Sequence, residues 1–65
     1  MEELDLHGVK HKDVDRLVEN FVFLKKPPIR IITGNSTAMQ ALVVDVLSRH
    51  GFLYYCEVSS IVIRG

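Results

Sequence analysis

Asp5 and His7 stand two residues apart in the run Leu4-Asp5-Leu6-His7-Gly8. Histidine titrates near neutrality, and a carboxylate beside it can orient or charge-stabilise the ring, so the pair suits proton transfer on a reacting oxygen. On a strand, side chains alternate between faces with period two. Leu4 and Leu6 then share one face, Asp5 and His7 the other, and Gly8 lets the backbone turn sharply behind them. A second polar group, Thr33-Gly34-Asn35-Ser36-Thr37, combines short hydrogen-bonding side chains with a glycine that permits close approach by a bulky anion. If a helix begins there, its free N–H groups and positive dipole end favour phosphate. Lys10, His11 and Lys12 form a small basic cluster after Gly8, and Arg30 and Arg64 add positive charge on candidate strands.

Helices and strands must carry these groups to one place. Glu3–His7 reads as a strand, followed by a loop. From Lys12 to Lys25 the apolar residues Val14, Leu17, Val18, Phe21 and Leu24 recur at helical spacing. Asp13 and Asp15 in the first turn, with Lys25 and Lys26 in the last, suit the helix dipole, and Pro27-Pro28 ends the segment. The lysines at positions 10 and 12 oppose that dipole, a mild cost that hints at a use for their charge. Ile29–Thr33 is short, β-branched and bounded by Pro and Gly, which predicts an interior strand. Met39, Leu42, Val43, Val46 and Leu47 predict a second helix stopping at Gly51, with His50 as a helix-end residue without a site role. Phe52–Val58 and Ile61–Arg64 read as two more strands around a turn at Glu57–Ser60. Tyr54 and Tyr55 fall on opposite faces of the first of these, where one could stack on a base and packing is the simpler role.

The order βαβαββ predicts an α/β two-layer sandwich: a four-stranded mixed sheet with two helices on one face, in a single domain spanning residues 1–65. In a βαβ unit both parallel strands end at the same sheet edge, where ligands of open α/β sheets bind. That would bring His7 and Gly8 near Thr33–Ser36. Taken separately, Thr-Gly-Asn-Ser before a helix is an ordinary turn and cap, and Asp5 with His7 is a surface pair worth about 0–1 kcal/mol. Convergence at one edge is what would make them a site.

Composition narrows the classes. A chain of 65 residues buries only about 60% of its unfolded surface and so has a small core. With 48% apolar residues it should fold, and no apolar run approaches the roughly 20 residues of a membrane span. Cys56 is the only cysteine, which excludes an internal disulfide and reads as packing. With Met1-Glu2-Glu3 unlike a signal peptide, the expected location is intracellular, in the cytoplasm. A net charge of zero requires any nucleic-acid binding to come from local clustering. His7 and His11 lack a placed third ligand, so no metal site is expected.

Leu4-Asp5-Leu6-His7-Gly8, an amphipathic helix, and Ile31-Ile32-Thr33-Gly34 opening a second helix together resemble the Smr (small MutS-related) domain, with its LDLHG motif followed by TGxG or HGxG. The resemblance runs from Glu3 to Arg64. It implies a fold similar to the C-terminal domain of translation initiation factor three, RNA or DNA as partner, and in several members endonuclease or nicking activity. It assigns the catalytic acid and imidazole to Asp5 and His7. The family's TGxG turn matches Thr33, Gly34, Asn35 and Ser36; with Gly8, Lys10, Lys12 and Arg30, placed by the residues themselves, these are the expected nucleic-acid or phosphate contacts. No cofactor is implied beyond a divalent cation such as magnesium, which Asp5 could recruit. Ser36 replaces the second glycine of TGxG, and only Val58-Ser59-Ser60 stands where the family has a glycine-rich stretch. Those departures leave a non-catalytic nucleic-acid-binding module, or a protein-interaction domain docking on a larger protein, as the alternatives. The chain itself is expected to be a monomer.

Overall fold

The structure, a computed structural model, describes residues 1–65. Its elements are β1 (Glu2–Asp5), α1 (His11–Leu24), β2 (Ile29–Ile32), α2 (Thr37–Arg49), β3 (Tyr54–Cys56) and β4 (Ser60–Ile63). The strands form one sheet in the order β1-β2-β4-β3. β1 runs parallel to β2, while β4 runs antiparallel to both β2 and β3. The mixed sheet with both helices on one face is the α/β two-layer arrangement expected from the element order.

Strand alternation sorts the side chains. Ile29 and Ile31 pair in register with Ile63 and Ile61, and all four are buried. Over them lie Val14, Val18 and Val22 of α1 and Met39, Val43, Val46 and Leu47 of α2, with Leu6 closing the end of the layer. Burying each such side chain fully contributes roughly 1.5–3 kcal/mol. The buried line of α1 is Val14-Val18-Val22, a four-residue step, and Val22 was not among the expected stripe residues. Leu17 and Phe21 flank that line half-buried, and Leu24, expected inside, lies exposed at the helix end. A helix laid on a sheet points one narrow row at it, and small β-branched valines fit against isoleucines where larger side chains fit only at the sides.

The helix ends follow local chemistry. Ser36 caps α2, its Oγ accepting the Met39 N–H at 3.1 Å. At the other end Gly51 adopts φ +74°. Phe52 N–H donates to Leu47 O and Gly51 N–H to Ser48 O, the paired bonds of a Schellman cap. α1 ends before Lys25, so no basic residue lies in its last turn. Lys25 instead reaches Glu2 at 3.3 Å and ties the helix end to the start of β1.

Every strand differs from expectation by a residue or more at one end or both. β1 stops at Asp5 and leaves His7 in a turn. β3 covers only Tyr54–Cys56, and β4 begins at Ser60. Each strand ends where its neighbour's pairing ends, which local pattern does not specify. On the sheet face away from the helices, the register aligns Glu3, Arg30, Val62 and Tyr55 in one row across all four strands. Val62 is 1% exposed although no helix lies over it. Its register partners in that row are Arg30 and Tyr55.

Candidate functional site

The C-terminal edge of the parallel strands gathers three loops. Leu6 N–H donates to Ile32 O at 2.9 Å, which joins the end of β1 to the end of β2. His7 and Gly34 therefore leave the sheet side by side, and α1 and α2 both begin at this edge. The third loop is the β3–β4 hairpin. Ser59 O accepts the N–H groups of both Thr33 and Gly34 at 3.0 Å, and Gln40 Nε2 reaches Val58 O at 3.5 Å. The hairpin's presence here follows from β4 lying between β2 and β3, and its role in bracing the Thr33-Gly34 turn had no sequence signal.

His7 occupies a β-turn. Val9 N–H donates to Leu6 O, and Gly8 sits third in the turn at φ +79°. With no other residue of the turn at positive φ, this is the type II pattern, which places glycine there. The period-two argument does not reach His7, because the ladder has already ended. Asp5 does approach His7, through the main chain: its Oδ1 accepts the His7 N–H at 2.8 Å. The carboxylate thus shapes the turn that presents the imidazole and makes no hydrogen bond to the ring. The His7 side chain is exposed.

The second segment also divides its groups. Thr33 is buried, and its Oγ1 donates to Gly34 O at 3.0 Å, so it is not a ligand-facing donor. Gly34 adopts φ +66°, but its N–H is taken by Ser59. Ser36 has φ −77°, so the serine in place of a glycine imposes no backbone conflict and supplies the cap instead. The N–H groups of Asn35, Ser36, Thr37 and Ala38 have no partner in the chain. These unpartnered N–H groups lie one to two residues further toward the helix than the Gly34-Asn35-Ser36 amides expected to hold a phosphate.

Charge is unevenly spent. Arg16, Lys25, Arg30 and Arg49 each pair with a carboxylate, while Lys10, Lys12, Lys26 and Arg64 do not. Lys10 is the N-cap residue of α1, where no side chain caps the helix. Lys10, His11 and Lys12 are all exposed beside the His7 turn. Arg30 does not join them. It lies on the open face, with Nη1 3.0 Å from Glu3 and Nη2 3.4 Å from Glu57, and its Nε is shielded from solvent without a partner. The Glu3 hydrogen bond, against an opposing effect of burial and with help from Glu57, holds its pKa above the ordinary value. Arg30 is a clamp between β1, β2 and the end of β3, not a free phosphate ligand.

A different cluster sits between the helices. His50 Nε2 lies 2.7 Å from Glu19, and the His50 ring meets Phe23 edge-on at 5.0 Å. Arg49 bridges Asp45 and Asp15. Burial opposes the Arg49 charge, yet those two acids outweigh it and raise the pKa. These contacts bind α2 to α1 and lie apart from the rim. No group of three or more His, Cys, Asp or Glu side chains could hold a metal ion together.

Compared with known proteins, the chain matches no protein-family model, no curated protein and no solved structure.

Proposed function

We propose that this chain binds RNA or DNA through the rim where β1 and β2 end, and that His7 acts there on a phosphodiester. One observation carries the reading: unpaired Lys10 and Lys12 and the unpartnered N–H groups of Asn35–Ala38 converge on the edge that presents His7. Lysines and a helix N-terminus are complementary to phosphate in charge and in hydrogen bonding. The resemblance of Leu4-Asp5-Leu6-His7-Gly8 and Thr33-Gly34 to the Smr motifs points the same way.

In this reading Gly8 shapes the turn, Lys10 and Lys12 hold flanking phosphates, and the Asn35–Ala38 amides with the Ser36 hydroxyl receive the phosphate nearest His7. The imidazole takes or gives the proton of the attacking or leaving oxygen. The amides stabilise charge developing on the phosphoryl oxygens. Asp5 works as a positioning residue, since its Oδ1 is committed to the His7 turn. Its Oδ2 is the one oxygen that a magnesium ion could use alongside phosphate and water, as that ion commonly binds; such an ion would add charge neutralisation at the phosphate.

Incubation with labelled single-stranded RNA and duplex DNA, with and without magnesium, tests the reading. Retention in a gel that weakens steeply with salt is expected, with product formation dependent on His7. Absence of retention at low salt rejects nucleic-acid binding. Retention without product rejects the cleavage step and leaves a binding module.

A further inference from the structure

A second surface lies on the open sheet face, away from the rim. Leu53, Tyr54, Tyr55 and Arg64 line an open groove of about 440 Å³. Arg64 N–H donates to Leu53 O at 2.7 Å, so these two residues are held side by side where β3 begins. β3 runs parallel to β2, which puts its start at the sheet edge opposite His7.

Three features of the groove call for a ligand of particular chemistry. Leu53 is 70% exposed and Tyr55 46% exposed, an apolar and aromatic pair on a face with no covering layer. Tyr55 pairs in register with Val62, which is 1% exposed, so the tyrosine stands on a strand next to a closed part of the sheet. Arg64 is the one arginine without a carboxylate partner. Arg30, two strands from Tyr55, is already satisfied by Glu3 and Glu57. The free charge at this groove is therefore positive, and it shares the groove with an exposed aromatic ring. A planar group bearing a nearby negative charge answers both.

We propose that this groove is a base-stacking subsite for single-stranded nucleic acid, with one base on Tyr55 and Leu53 and the adjoining phosphate on Arg64. The proposal rests on the nucleic-acid reading of the rim and narrows it to an unpaired strand, because a base inside a duplex has no free face to offer. Base–aromatic stacking tolerates any base, and Glu57, two residues after Tyr55, leaves phosphates better placed away from the sheet, with bases turned toward it. β1 and β3 are separated by three strand spacings, roughly 14 Å, and the groove lies a strand length, roughly 13 Å, from the His7 edge, about 20 Å in all. An extended single strand of several nucleotides is needed to reach from the groove to the His7 rim.

Fluorescence anisotropy with a labelled single-stranded oligoribonucleotide and with a hairpin duplex of matching composition tests this on the full chain. Tyr55→Ser should weaken single-strand binding about tenfold and leave duplex binding unchanged. Tyr55→Phe should retain wild-type affinity. Arg64→Gln should weaken single-strand binding and lower its salt slope by about 1. In the wild-type protein, NMR should show the Tyr55 ring protons moving upfield on titration, a readout independent of any variant's folding. Unmoved Tyr55 resonances, with affinity lost only in Lys10→Gln and Lys12→Gln, overturn the subsite while the rim reading stands. Wild-type protein that binds neither probe overturns both. A Tyr55→Ser change in sedimentation mass instead marks the face as a contact between copies and also overturns it.

Discussion

At His7 the chemistry and the backbone are separable. The side chain is exposed and makes no contact that folding requires, whereas Gly8 and Asp5 build the turn beneath it. His7→Ala should therefore lower cleavage by about 10²- to 10⁴-fold, the range for loss of a general acid or base. Its thermal unfolding should stay within about 0.5 kcal/mol of wild type. Unchanged cleavage by this variant removes His7 from the mechanism. Asp5→Asn keeps an oxygen to accept the His7 N–H while removing the charge. Retained cleavage there assigns Asp5 to shaping the turn; lost cleavage with an intact fold assigns a role to its charge. Gly34 is a cleaner backbone probe. A Cβ at that position would meet nothing within 4 Å, so Gly34→Ala costs only the positive φ, about 1–2 kcal/mol by chemical denaturation.

The helices join stability to the rim. Ser36 stands at both: its Oγ accepts from Met39, and its own N–H faces outward. Ser36→Ala should destabilise the fold by about 1 kcal/mol through the lost cap and should weaken phosphate binding, while Ser36→Asp should restore the cap and repel the anion. Equal binding by both variants would show that the start of α2 does not meet the ligand. In α1, Val18 lies at the centre of the buried row, and Val18→Ala should cost on the order of 2 kcal/mol, since the isoleucines around it cannot close the space. Leu24→Ala, at an exposed position inside the expected stripe, should be nearly neutral. Periodicity located both helices to within a residue or two and identified most of their apolar face. It could not rank residues within the stripe, because the centre of a buried row depends on the surface opposite.

Over the whole molecule, zero net charge conceals an asymmetry. Glu3, Arg30 and Glu57 neutralise much of one another on the open face, while Lys10 and Lys12 stay unpaired at the rim. Binding should accordingly show a modest salt slope that falls by about 2 in the Lys10→Gln/Lys12→Gln double variant. No helix is long and apolar enough to cross a membrane. The residues that could do chemistry were readable in the chain: Asp5, His7, the Thr33–Thr37 segment and the basic cluster are local patterns, and the alternation and helical spacing that deliver them are local too. The parallel pairing of β1 with β2 followed from the crossover helix. The duty each group performs did not, because it is set by partners far away in the chain. Arg30 is engaged by residues 27 positions before and after it, Gly34 donates its N–H to Ser59, and Asp5 serves a turn that begins where β2 stops offering a partner. Local pattern selects which side chains are present and which face they prefer; long-range register decides which donors and charges are consumed in holding the sheet and which are left for a ligand.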